Sequence, residues 1–377
     1  MSLEEPKLTD TQVAIVGGGL SGLNAARLMQ EAGADFQLFE ARDRLGGRIL
    51  TVDGTGAPSD DGFDLGPSWI WPRMQPALAA LVSELDLPIF GQASAGDVVF
   101  ERMSREPPQR YAGPAQEPQS MRLAGGTAAL VSAMAQVLPA GRVHPGSAVT
   151  GLSLREDRVR LALRDASGSV QTIDAEHVVA ALPPRLLQAS VDFTPGPPPD
   201  TSALWRETPT WMSSHAKFFA LYDRSFWLEA GYSGTAQSMV GPMAEIHDAT
   251  TRSGHAALFG FLGVGAAERL RLGEQKHTEA CLAQFGRIFG QDAQAPTATL
   301  YKDWATDPLT ATPDDPTSTG HPASAPAWVH GPWGARLVLA GSETSPNEAG
   351  YLAGAAEASG LAAGELARRL NLRTGRP

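Results

Sequence analysis

Three glycines carry the first chemical signal in the chain. Gly17, Gly19 and Gly22 stand at G-x-G-x-x-G spacing, after the apolar run Val13-Ala14-Ile15-Val16 and before Ala25, Leu28, Met29 and Ala32, which recur at helical spacing up to Gly33. A buried strand, a glycine turn and a helix in that order can hold a dinucleotide. The first glycine permits the turn, the second admits backbone close to a pyrophosphate, and the third lets helix and strand pack closely. The residues that open the helix, Leu20 and Ser21, would offer free N–H groups and the positive end of a dipole to phosphate oxygens. A short strand over 35–39 then ends on Glu40, about twenty residues downstream, where a carboxylate can accept both ribose hydroxyls. Ser21 also stands on a strand–turn–helix feature of the kind that exposes a nucleophile. That motif requires glycine two residues later, and Leu23 stands there.

Further groups capable of chemistry follow. Ala41-Arg42 leads to Gly46-Gly47-Arg48, where adjacent glycines flanked by arginines offer backbone amides and a guanidinium to an anion. Gly66-Pro67-Ser68-Trp69 breaks a strand and presents an aromatic ring, and Lys217 is a single lysine among aromatic and small residues on an expected strand over 215–222. Near the C-terminus, Gly341-Ser342-Glu343 precedes a helix of small residues expected over 351–370.

The elements that must position these groups alternate along the chain. Helices are expected over 76–87, 127–138 and 278–289, and strands over 143–154, 159–163, 171–182, 256–262 and 336–340. Residues 91–119 are polar with little periodicity, 195–199 read as a proline-rich crossing, and 306–326 as a long loop. A length of 377 residues suits one large or two intimate domains. The formal net charge of −11 argues against a nucleic-acid or anionic-membrane surface. The single cysteine, Cys281, leaves no intramolecular disulfide and no multi-cysteine metal site. The eight histidines show no ligand spacing such as H-E-x-x-H. No basic, apolar leader opens the sequence and the longest apolar run, around 256–267, is too short to span a bilayer, so a soluble cytoplasmic protein is expected. No second dinucleotide fingerprint follows, which argues against a pyridine-nucleotide reductase.

With its pieces in this order, the chain resembles the flavin-dependent amine oxidase family, the monoamine oxidase-like FAD-dependent oxidoreductases, as a short member. The resemblance rests on the run through Glu40-Ala41-Arg42 to Gly46-Gly47-Arg48 and on Ala340-Gly341-Ser342-Glu343-Thr344 followed by Gly350-Tyr351-Leu352-Ala353-Gly354-Ala355, with Leu123-Ala124-Gly125-Gly126 and Leu182-Pro183-Pro184 between them. It implies an α/β fold in which a Rossmann-type FAD-binding domain (1–73, 118–195 and 330–377) is interleaved with an α+β substrate domain (74–117 and 196–329). By the same resemblance Gly17, Gly19, Leu20, Ser21, Gly22, Glu40, Ala41, Arg42, Gly46, Gly47 and Arg48 would clamp the adenosine and pyrophosphate. Val149 would touch adenine and Glu343 the ribityl chain. Gly66, Pro67, Ser68, Trp69, Gly341, Gly350, Tyr351 and Leu352 would complete the cofactor site. Lys217 would hold a water against flavin N5, Tyr351 would form one wall of an aromatic cage, and Trp304 would lie near the ring.

The chain also departs from the family pattern. Cys281 lies in an expected helix and Ala305-Thr306-Asp307-Pro308 offers no thiol, so FAD is expected to be non-covalent. No second cage wall is identifiable, Ala353 replaces a commonly acidic residue, and Glu348 stands where an aromatic often sits. The short 74–117 segment implies a shallow site, or one closed by a partner subunit in a homodimer. The reaction implied is hydride transfer from the C–N bond of an uncharged amine to flavin N5, followed by imine hydrolysis and reoxidation by oxygen to hydrogen peroxide. Two alternatives stand beside it: a flavin desaturase or dehydrogenase acting on a C–C bond or dihydro-heterocycle, and a flavin-binding protein without turnover.

Overall fold

The computed structural model describes residues 9–113, 117–315, 320–325 and 327–372. The strand Thr11–Val16 is apolar on both faces, which suits only a position covered on both sides. It lies parallel between Phe36–Phe39 and the C-terminal half of Val170–Ala180. Val143–His144 extends this parallel sheet beyond Phe36–Phe39, and Leu337–Leu339 extends it beyond Val170–Ala180. The N-terminal half of Val170–Ala180 continues into an antiparallel meander with Arg158–Arg164 and Ala148–Arg155. The strand expected over 143–154 is therefore two strands in different parts of the sheet. Pro145-Gly146 separates them, with Gly146 in the left-handed region at φ 72°.

Helices Leu20–Glu31 and Leu352–Arg369 pack against one another on this sheet. Asn24 Nδ2 donates to Ser359 Oγ at 2.8 Å, and Ser21 Oγ donates to the Ala340 carbonyl. The helix Pro76–Glu84 sends Leu78, Leu81 and Val82 into the same core as Val13 and Ile15. This element, grouped by sequence with the second domain, packs on the nucleotide-type sheet because its apolar stripe completes that core.

The second sheet has seven strands, in the order Ala298–Asp303, Ala216–Tyr222, Ala256–Leu262, Met243–Asp248, Tyr232–Ser238, Asp97–Glu101 and Gln109–Ala112. Alternation along Ala216–Tyr222 divides its side chains between two faces. Phe218, Ala220 and Tyr222 join a core with Phe285, Ile288 and Phe289 of the helix Glu274–Phe289. Phe219 and Leu221 instead pack toward Val52, Phe63 and Leu65 of the first part of the chain. Lys217 shares that second face. Two strands of this sheet come from residues 91–119, where the sequence shows little periodicity; all four residues of Gln109–Ala112 are exposed at the sheet edge. The proline-rich crossing leads into a helix, Pro199–Glu207, anchored by the fully buried Trp205.

A Cβ at Gly22 would fall inside the van der Waals shell of the Gly17 carbonyl, whereas one at Gly360, within Leu352–Arg369, meets nothing within 4 Å. Gly22→Ala should therefore lower stability by roughly 1–3 kcal/mol through an unavoidable backbone shift. Gly360→Ala should raise it by about 0.5–1 kcal/mol, since helix backbone entropy is its only effect. Urea unfolding midpoints of both variants check this contrast.

Candidate active site

A cavity of about 760 Å³ is lined by the glycine turn at one part of its wall and by the second sheet at another. The turn is built for backbone approach. Gly17 holds φ 104° with its missing Cβ 2.9 Å from the Ala181 carbonyl, and a Cβ at Gly19 would meet only Gly46 O, at 3.8 Å. The side of Gly19 toward the cavity is thus open. Gly19 caps the helix Leu20–Glu31 with no side-chain hydrogen bond, which leaves first-turn N–H groups for a ligand. Glu40 is fixed by its neighbours: Oε2 accepts from Gly18 N at 2.6 Å and Oε1 from Arg42 N at 2.8 Å. Each oxygen keeps a lone pair for a hydroxyl donor. Facing the turn, the Gly46-Gly47 loop is wrapped around Arg44, which donates to the carbonyls of Leu45, Gly47 and Ile49 at 3.0–3.1 Å.

A second helix N-terminus reaches the same cavity. Tyr351 caps Leu352–Arg369 with no side-chain hydrogen bond to the helix start, and Gly350, Tyr351, Leu352 and Ala355 all line the wall. Two uncapped helix starts, an acid and glycine backbone on one cavity fit an extended dinucleotide.

At the second sheet the wall is aromatic and carries Lys217. The ammonium donates to the carbonyls of Asp64 and Gly66 at 3.1 and 2.5 Å and to Ser68 Oγ at 2.9 Å. Its Nζ also lies 4.8 and 5.1 Å from the ring centres of Phe259 and Phe261. Burial pushes the Lys217 amine down to about 7, with Arg122 adding to the shift and Asp64 opposing it. Trp304 donates from Nε1 to the Leu65 carbonyl at 3.0 Å, under Lys302, and Trp69 donates to Gln92 Oε1 at 2.8 Å.

Gly17, Gly19, Leu20, Ser21, Glu40, Arg42, Gly46, Gly47, Arg48, Gly66, Pro67, Ser68, Trp69, Lys217, Trp304, Gly341, Gly350, Tyr351 and Leu352 are brought onto the one cavity. Four expected residues are absent from its lining. Gly22 lies against the Gly17 carbonyl, and Ala41 is half-buried outside the lining. Val149 is buried in the core of the first sheet, with Leu152 and Leu163. Glu343 is fully buried one layer back, where it pairs with Arg48 at 2.7 Å rather than lining the wall. Its carboxylate turns Arg48, which also donates to Ser342 Oγ and to the Trp211 carbonyl.

Several lining residues escaped the sequence reading. Trp211, whose side chain packs on Gly350, lies 6.1 Å from Tyr351 between ring centres, and His321 stacks on it at 3.5 Å. Tyr351 is hydrogen-bonded to His321 Nε2 at 3.0 Å. Gln92, Glu245 and His247 are among the other lining residues that were missed. Trp211 follows no periodic pattern, and Glu245 and His247 lie on a strand the sequence does not announce.

A sequence model of the flavin containing amine oxidoreductases matches residues 20–116 and 95–367, and the chain belongs to that family of FAD-dependent enzymes. AofH of Mycobacterium tuberculosis, assigned to the flavin-containing monoamine oxidases, is 26% identical over 452 aligned positions covering 95% of this chain and 97% of the relative. The alignment is longer than the 377 residues present here, so the relative carries additional residues. Flavin-containing amine oxidase A of Sus scrofa is 24% identical, covering 95% of this chain and 85% of its own length. The fold is that of cyclohexylamine oxidase from Brevibacterium oxydans, with a TM-score of 0.79 at 21% identity over 96% of this chain and 100% of the other. Putrescine oxidase bound to putrescine gives 0.79 at 20% identity over 96% and 100%.

The buried lysine ties stability to pH. Its folded pKa of about 7 lies below the ordinary 10.5, so the unfolded chain binds more protons between those values and stability rises with pH across that window. Below pH 7 the burial penalty is fully present; above 10.5 both states are neutral and it is gone. Wild-type stability should therefore gain on Lys217→Met between pH 7 and 10, by up to about 1.4 kcal/mol per unit. Parallel denaturant titrations across that range measure the difference; a constant offset would refute the assignment.

Proposed function

We propose that this chain is an FAD-dependent amine oxidase that binds its flavin without a covalent bond and uses Lys217 as the protein group beside the reacting centre. The observation that carries the reading is the continuity of one cavity from the cradle of Gly19 and Glu40 to Lys217 on the second sheet. Bound flavin would accept the hydride equivalents from an amine C–N bond and pass them to oxygen, leaving an imine for water to hydrolyse.

The chain's own groups then have separate tasks. First-turn N–H groups after Gly19 and the Gly46-Gly47 loop would hold the pyrophosphate, with Glu40 receiving ribose hydroxyls. The start of Leu352–Arg369 would favour negative charge on the reduced cofactor. Lys217, with a pKa near neutrality, can exchange a proton with water at the site; its strand fixes its stem and the Asp64 and Gly66 carbonyls fix its nitrogen. Trp211 and Tyr351 supply two aromatic walls that exclude water and orient an uncharged amine. Cys281 supports a non-covalent cofactor: it is fully buried in the core behind the second sheet, and burial raises its thiol pKa to about 12.

Purified protein mixed anaerobically with a panel of primary and secondary amines should lose the oxidised-flavin absorbance, and peroxide should form on admitting air. Lys217→Met should retain flavin yet slow the reduction or reoxidation step by about a hundredfold. A yellow protein that no amine bleaches would move the reading to a C–C desaturase or a flavin-binding protein without turnover. A protein that takes up no FAD would overturn the cofactor assignment itself.

A further inference from the structure

The rim of the cavity beside the start of Leu352–Arg369 is held more tightly than a surface loop requires. Trp211 is fixed through its backbone, whose carbonyl accepts from Arg48 at 3.1 Å and whose N–H donates to Glu343 Oε1 at 3.4 Å. Its side chain lies against Gly350, which holds φ 86° and where a Cβ would come within 2.4 Å of it. Met212, the next residue and also on the lining, stands in the left-handed region at φ 62°. A bulky side chain adopts that conformation only where its surroundings enforce it, and strain of this kind gathers where geometry serves a function.

The group that joins Trp211 to Tyr351 comes from the loop after Trp304. His321 is exposed, while Pro322 beside it is buried. The imidazole stacks on Trp211 at 3.5 Å between ring centres, with 22° between the planes, and lies 4.8 Å from the Tyr351 ring. It is hydrogen-bonded at both nitrogens, Nδ1 to the Ala349 carbonyl at 3.3 Å and Nε2 to the Tyr351 hydroxyl at 3.0 Å. A carbonyl can only accept, so Nδ1 carries the proton; Nε2 of the neutral ring is then an acceptor, and Tyr351 must donate. The Tyr351 proton is thus directed at His321, and the lone pairs of Oη remain for an N–H donor. His321 lies outside the lining, whereas Trp211 and Tyr351 lie on it, so its effect on a ligand passes through those two rings.

We propose that His321 is a positioning residue for amine oxidation: it holds the Trp211 ring and commits the Tyr351 hydroxyl as a hydrogen-bond acceptor for a substrate N–H. The inference rests on the amine-oxidase reading. An amine that donates one N–H to Tyr351 Oη is turned as well as bound, because its lone pair is left free to point elsewhere. Without His321 the hydroxyl rotates and can present its own proton, which would occupy that lone pair instead. The stack on Trp211 is a separable contribution, since it needs only a flat ring.

The test is anaerobic flavin reduction of the holoenzyme by benzylamine and primary alkylamines, in wild type, His321→Phe, Tyr351→Phe and the double variant. His321→Phe keeps a flat ring for Trp211 and loses both hydrogen bonds. It should lower the reduction rate over apparent dissociation constant by about three- to tenfold. In the Tyr351→Phe background the same substitution should have no further effect, because the hydroxyl it acts on is gone. His321→Ala, which also removes the stack, should lower the ratio further. A histidine that only tethers its loop would change the melting temperature and leave the ratio alone, or would cost the same in both backgrounds. Either result overturns the inference and leaves the oxidase reading standing. If no amine reduces the flavin, the oxidase reading fails on its own. Benzylamine binding is then read from the flavin spectrum of the same proteins. Weakening by His321→Phe that is absent from the Tyr351→Phe background supports the histidine's role; equal affinities, or no binding, overturn it.

Discussion

The nucleotide half of the molecule depends on main chain passing main chain with no side chain between. The turn at Gly17 lies against Ala181, a Cβ at Gly341 would overlap the Leu182 carbonyl, and Ser21 reaches the carbonyl of Ala340. Three segments, separated by more than a hundred residues each, thus converge on one point at the C-terminal ends of parallel strands. That is where strand ends diverge and leave a crevice, and where helices begin. The converging N–H groups of two helix starts follow from the same packing. A cofactor site of this kind is a consequence of how closely the backbones approach, and side chains such as Glu40 refine it.

The other half of the site turns on a buried amine. Removing an ammonium from water is costly unless its donors are satisfied. Lys217 meets that condition through two carbonyls and a hydroxyl contributed by the stretch from Asp64 to Ser68. That stretch is itself held from behind: Asp64 Oδ1 accepts from Thr51 Oγ1, Thr127 N and Thr127 Oγ1 at 2.6–2.9 Å. Lys217 therefore belongs to the second sheet by chain and to the first half of the molecule by hydrogen bonding. The two halves are joined at the place where chemistry is proposed.

How much of this was legible depended on the range of the interactions involved. The turn at Gly17 and the acid at Glu40 were readable because a strand, a turn and a helix are local, and the strand at Ala256–Leu262 because it is buried on both faces. Met243–Asp248 was not readable. A bulge between Met243 and Glu245 breaks its alternation, and its pairing partner lies beyond a turn. Glu245 and His247 became visible only when register set them beside Phe261 and Phe259. Glu343 stands apart from the other motif residues: it is fully buried and paired with Arg48, and a residue in a motif can serve by orienting its neighbour. Here Arg48 takes the wall and Glu343 its back. Val149 likewise contributes to the core of the sheet and not to the cavity surface.

Among the described residues, the stretch 307–315 after Trp304 is tied down by charge. Asp307 accepts from Arg42 at 2.9 and 3.1 Å and from Lys302 at 3.1 Å, and Asp315, fully enclosed, accepts from Arg185 at 2.7 Å. Buried ion pairs gain little net stability over apolar contacts, because desolvation consumes most of the attraction. Breaking one, however, strands a charge, so such pairs penalise alternative placements of the chain heavily. Their position is informative. Arg42 belongs to the nucleotide-facing loop, Lys302 to the second sheet, and Leu309 and Thr310 of the tethered loop line the cavity itself. A chain shorter than its relatives has fewer residues with which to wall its site. Ion pairs that fix one loop against both halves allow that loop to serve as wall without an apolar core of its own.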